Sequence, residues 1–162
     1  MLNKLGVATL SAISLCASLS VQAGAFEDKT DRFSGSRTVS WNSIPPKEEE
    51  FSLSGLAIYA KGQKTPGYYS VTLTTYSDSW QFINCKFNDW LVDGEPFPAL
   101  RGAYDNSMAG SSTIERFTAQ MSRKDLEIVA AAKLVEFKVC NVEGKVSTED
   151  LSGIRKILEA TN

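Results

Sequence analysis

The sequence predicts an α+β fold: a twisted antiparallel sheet of about 7–8 strands, with a short helix and a C-terminal helix packed on one face. Three observations carry this. Between residues 37 and 121, segments recur in which apolar and polar side chains alternate, the period of a strand with one wet face. Turn-forming residues separate those segments. The last third switches to a spacing of three and four, read at Leu126, Val129 and Ala130 and again at Leu151, Ile154, Ile157 and Leu158.

Residues 24–36 are polar and aperiodic, an N-terminal lead-in to a single domain at 37–162. Arg37–Trp41 is the first strand, with Val39 and Trp41 on one face, and Pro45-Pro46 ends it. Phe51–Ala60 is the second. Its apolar phase is odd at Phe51 and Leu53 and even at Leu56 and Ile58, so a bulge is expected at Gly55, where the phase switches. Lys61–Gly67 closes a hairpin onto a strand in which Tyr69, Val71, Leu73 and Thr75 alternate with Ser70, Thr72 and Thr74.

Ser77-Asp78-Ser79 turns the chain into an expected strand at Trp80–Cys85 with both faces covered. Trp90–Val92, Asp93-Gly94 and Glu95–Phe97 read as a tight hairpin, because a type I′ turn needs positive φ at both central positions. Pro98–Ser112 has no sustained period and reads as a long functional or mobile loop. Thr113–Met121 returns to strand. Ser122 caps a short helix, Val135–Val139 is a strand ending at Cys140, and Glu143-Gly144 turns the chain. Ser147 and the acidic residues after it start the final helix. No repeat or low-complexity segment is present outside the leader.

That leader is residues 1–23. Lys4 supplies the charged region, Leu5–Leu19 the apolar one, and Val21-Gln22-Ala23 the small-x-small site of a secretory signal peptide. Cleavage is expected after Ala23 or Ala25. The apolar run of about 15 residues is shorter than the ~20 of a spanning helix, and serines interrupt it. Cys16 invites lipidation, but Leu15 before it is too large for that processing. The expected address is periplasmic or secreted, from a bacterial envelope, with no stable membrane insertion once the signal is gone.

Removing Lys4 with the leader leaves 16 basic against 19 acidic residues, net −3. No cluster of Lys and Arg marks a nucleic-acid surface. The acidic run at Glu48–Glu50 solvates a loop. Cys85 and Cys140 are the two cysteines outside the leader, and in an exported chain they read as one disulfide closing 55 residues. The chain has no histidine. That removes the commonest general base and zinc ligand, together with the Ser-His-Asp and Cys-His arrangements. Neither a cofactor nor a metal is expected.

The binding residues this reading favours are Tyr76, Asp78 and Trp80 at one turn, with Arg101, Tyr104 and Asp105 on the long loop. Aromatic faces beside acids and amides stack on sugars or anchor protein partners. Packing accounts for most strand aromatics, and those at the turn escape that role. Asp105-Asn106-Ser107 lacks the spacing of a calcium loop and reads as an Asx-type turn. Arg101 and Arg116 are ion-pair partners before they are an anion site. The leading reading is a non-catalytic exported protein that binds a protein or glycan of the cell envelope. The alternative is an inhibitor or immunity-type protein against an envelope-acting enzyme. A histidine-free hydrolase using paired carboxylates comes third.

Overall fold

A computed structural model describes residues 24–162; the expected leader at 1–23, with Cys16, lies outside the described residues. The elements run β1 (Gly24–Thr30), β2 (Arg37–Ser43), β3 (Phe51–Tyr59), β4 (Tyr68–Ser77), β5 (Asn88–Val92), β6 (Glu95–Pro96), a 3-10 turn at Pro98–Leu100, β7 (Ala103–Ala109), β8 (Ser112–Met121), α1 (Arg123–Ala131), β9 (Val135–Val139), β10 (Val142–Lys145) and α2 (Thr148–Ala160). The class is α+β, but the strands form two antiparallel sheets rather than one. Six lie in the order β1-β2-β3-β4-β8-β7 and four in the order β10-β9-β5-β6.

One face of the large sheet takes α2, which packs on β1, β2 and β3. Its stripe of Leu151, Ile154, Ile157 and Leu158 is buried as its periodicity requires. Trp41 is the centre of this contact. A Cβ placed on Gly153 would lie 2.1 Å from the indole, so the helix can approach only with glycine there. The indole Nε1 donates to Asp150 at 3.0 Å, and the same carboxylate accepts the N–H of Leu53 at 3.0 Å. Asp150 therefore ties the first turn of α2 to β2 and β3. Each helix also binds the other's C-terminal end. Arg123 on α1 donates to the Thr161 carbonyl, and Arg155 on α2 donates to the Ala130 carbonyl at 2.8 Å.

Aromatic rings join the two sheets. Phe51 lies 4.9 Å from Phe137 and 5.9 Å from Phe82 between ring centroids, and Trp90 lies 5.6 Å from Phe137. Gly144 of β10 accommodates the Phe137 ring, which a Cβ there would meet at 2.4 Å. Cys85 and Cys140 form a disulfide, Cα atoms 6.0 Å apart, tying the segment before β5 to the end of β9. The Asp93-Gly94 hairpin has the expected positive φ at both residues, 51° and 87°. Ser122 and Ser147 cap their helices as anticipated, each accepting the N–H three residues on.

Several expectations need correction. Gly55 holds no bulge, because β3 pairs with β4 in unbroken register from Phe51 to Ile58. Its role is close approach: a Cβ there would lie 2.5 Å from Ile154 Cδ1. Leu56 and Ile58 simply occupy the opposite, half-buried face. The lead-in at 24–36 contains β1, an edge strand whose polar side chains hid its period. Pro98–Ser112 contains β7, the other edge, so Asp105–Ser107 is strand and not an Asx turn. Trp80–Cys85 is not a strand: only Phe82 is buried, and the Cys85 N–H closes a turn on the Phe82 carbonyl. The turn after β9 falls at Cys140-Asn141, with Glu143 and Gly144 inside β10.

Candidate functional site

The second face of the large sheet carries neither helix. Strand register decides what it presents, since paired residues share a face. Thr72 pairs with Ser54 on one side and Thr118 on the other; Thr74 pairs with Ser52 and Arg116; Tyr76 pairs with Ile114. The result is a face rich in hydroxyls with one phenol and one guanidinium. Thr72 and Thr118 bond to each other at 3.0 Å. Arg116 donates to Ser107 Oγ at 2.9 Å and lies 3.9 Å from the Asp105 carboxylate, so its direction is fixed along the sheet.

This face is hollowed into a trough of about 620 Å³. Ser54, Thr72, Thr74, Tyr76, Ile114 and Arg116 form its floor. Ile44 and Pro45 wall one end, and Ala109 and Ser112 of the β7–β8 hairpin wall the other. The first wall is held in place by the acidic run. Glu49, at φ 60°, donates its N–H to the Tyr76 carbonyl at 2.9 Å, and the Glu48 carboxylate accepts the Asp78 N–H at 2.9 Å. Glu48 thus does more than solvate a loop. Ile44 stands 71% exposed at the rim.

The six residues singled out from sequence divide among four places. Tyr76 and Asp105 share the trough face, with Arg116 between their strands. Asp78 and Trp80 follow in the turn at the same end of β4, where Ser77 and Thr113 exchange hydroxyl contacts. Tyr104 points to the opposite face. Its hydroxyl donates to Glu115 Oε1 at 2.7 Å. Burial, and then that carboxylate, hold its phenol above the ordinary tyrosine range. Arg101 follows the 3-10 turn and is paired with Asp89 of the small sheet, beside a second hollow of about 560 Å³. The hollow's other cation, Lys138, is paired with Glu143, and the rings of Trp90 and Phe137 beneath it are turned into the core.

Ser54, Thr72, Thr74, Ile114 and Arg116 are the residues of the trough floor that sequence reasoning left unassigned to a site. The clean alternation of β4 and β8 contained the signal: their even-numbered residues had to face together, away from the core. Glu115 was also missed. It is fully buried, and its two oxygens accept the N–H groups of Gln81 and Phe82 at 2.8 and 2.9 Å, besides the Tyr104 hydroxyl. A charged residue in phase with Phe117, Ala119 and Met121 was the available clue. With its acceptors occupied, Glu115 positions the 80–85 segment, as Asp150 positions α2.

Among the described residues, no group of three or more His, Cys, Asp or Glu could hold a metal ion, and no helix is long and apolar enough to cross a membrane. No family model, curated protein or solved structure matches the chain.

Proposed function

We propose that this chain is an exported, non-catalytic binding protein of the bacterial cell envelope, and that its ligand is a glycan held in the trough on the open face of the large sheet. The observation that carries the reading is the trough's chemistry. Hydroxyls, one half-buried phenol and one oriented guanidinium line a concave surface of ordinary ligand-site volume. Such groups bond to sugar hydroxyls, and Tyr76 offers a ring edge or face to their C–H surfaces. The disulfide and the leader-like residues 1–23 support export, to the periplasm or outside the cell.

The trough is favoured over the hollow on the small sheet because Ser54, Thr72, Thr74 and Tyr76 give it hydroxyls, and the residues lining the hollow carry none. The test is direct binding of purified chain to soluble envelope-glycan fragments by calorimetry. Saturable heat that disappears in Tyr76→Ala supports the reading. Absence of binding to any glycan, with specific retention of an envelope enzyme instead, would favour the inhibitor reading.

A further inference from the structure

At the end of the sheet opposite the trough, two hairpin tips lie side by side. One joins β1 to β2 over Asp31–Ser36, and the other joins β3 to β4 over Ala60–Gly67. They are neighbours because Arg37 pairs with Tyr59 at the end of the β2–β3 register. Contact confirms this: the stem of Lys61 crosses to the first tip, its Cγ 3.0 Å from where a Cβ of Gly35 would stand.

The first tip carries Phe33, 83% exposed and the most exposed large apolar side chain of the described residues. Arg32 stacks on it, Cζ 4.5 Å from the ring centroid. Among the described residues, Arg32, Lys61 and Lys64 take part in no ion pair. Lys29 and Arg37 at the base are paired with Glu27 and Asp28. The tip's own acid, Asp31, accepts the N–H groups of Phe33 and Ser34 at 2.7 Å each, which fixes the turn that displays the ring. Residues 27–37 and 60–67 together hold five basic and three acidic residues, on a chain whose residues 24–162 are net negative.

An apolar ring on a protruding tip, flanked by unpaired cations, suits a bilayer surface. A ring can sink into the headgroup boundary while cations meet lipid phosphates. We infer that the Phe33 tip, with Arg32, Lys61 and Lys64, docks this protein peripherally on an anionic membrane surface. The geometry gives that docking a consequence. β4 starts at Tyr68 beside this tip and carries the trough floor from Thr72 to Tyr76, so the trough stands about 13–26 Å along the strand from the tip and opens sideways, off the face of the sheet. The inference concerns a different surface from the glycan trough and stands or falls separately.

The test is co-sedimentation of the protein recovered from cells, its N-terminus read by mass spectrometry, with vesicles of phosphatidylcholine and phosphatidylglycerol against phosphatidylcholine alone. Wild type and variants carry the same N-terminus, so their difference reports on the tip. Binding should require the anionic lipid and weaken with salt. The K61Q/K64Q variant should bind about 30-fold more weakly, roughly five-fold per cation. F33S should bind roughly ten-fold more weakly. All these residues are exposed, so thermal midpoints should match wild type. No binding of wild type, or wild-type binding by either variant, overturns the inference. So does retention on an acidic protein or a nucleic acid without retention on vesicles.

Discussion

The two faces of the six-stranded sheet are built from the same strands and have opposite chemistry. On the face toward α2, Val39, Trp41, Leu53, Val71, Leu73 and Phe117 are all essentially without solvent contact. Glycines at 55 and 153 let the helix come close enough to exclude water. On the other face the same strands offer Ser54, Thr72, Thr74, Tyr76 and Arg116 to an open trough. On the proposed reading, substitutions on the closed face should cost stability, and substitutions on the open face should cost glycan binding far more than stability.

The largest expected effect is at the centre of the closed face. Trp41→Ala should destabilise the protein by about 3–5 kcal/mol, through cavity formation and loss of the indole bond to Asp150. Gly153→Ala should cost roughly 1–3 kcal/mol by forcing the helix away from the indole. Chemical denaturation measures both. Reducing the disulfide should rival Trp41→Ala in size. Its 55-residue loop corresponds to about 4 kcal/mol of chain entropy, so the unfolding midpoint should fall clearly when a thiol reductant is present.

Glu115→Gln tests the smaller anchor. A glutamine offers one acceptor oxygen where the two oxygens of Glu115 serve Gln81 and Phe82, and a loss of about 1–3 kcal/mol is expected. Amide exchange should accelerate at 81–85 before it does in α2. A weaker effect concerns pH. The folded protein holds the Tyr104 phenol above its unfolded value, so the neutral form is favoured in the native state. That stability is complete below about pH 10 and is lost as pH rises through the folded value. Tyr104→Phe should flatten the alkaline limb of the stability curve.

Helix placement was legible because Leu151, Ile154, Ile157 and Leu158 repeat with the helical period and Ser147 caps the first turn. The interior strands were legible from alternation at Val71, Leu73, Phe117 and Ala119. The two edges were not. β1 and β7 face the core on at most one side, and residues such as Asp28 and Asn106 carry no apolar period. Trp80–Cys85 misled in the other direction, because its apolar residues promised two covered faces. Only Phe82 is buried there, and Glu115 holds the segment as a turn. Tyr76 was identifiable as a half-wet aromatic at a strand end, but Arg116 reached the trough through a register that only the sheet order supplies. Tyr104 and Arg101 seemed to share a loop with Asp105, yet strand alternation and the small sheet send them elsewhere.

The central claim is that the open face binds and the closed face folds. Tyr76→Ala combined with Arg116→Gln, followed by thermal unfolding and by calorimetric titration with the same glycan fragments, tests it most directly. The double variant should stay folded and lose no more than about 1–2 kcal/mol, as for half-buried side chains and well short of Trp41→Ala, together with loss of measurable binding. Unchanged glycan affinity in a folded double variant would contradict it.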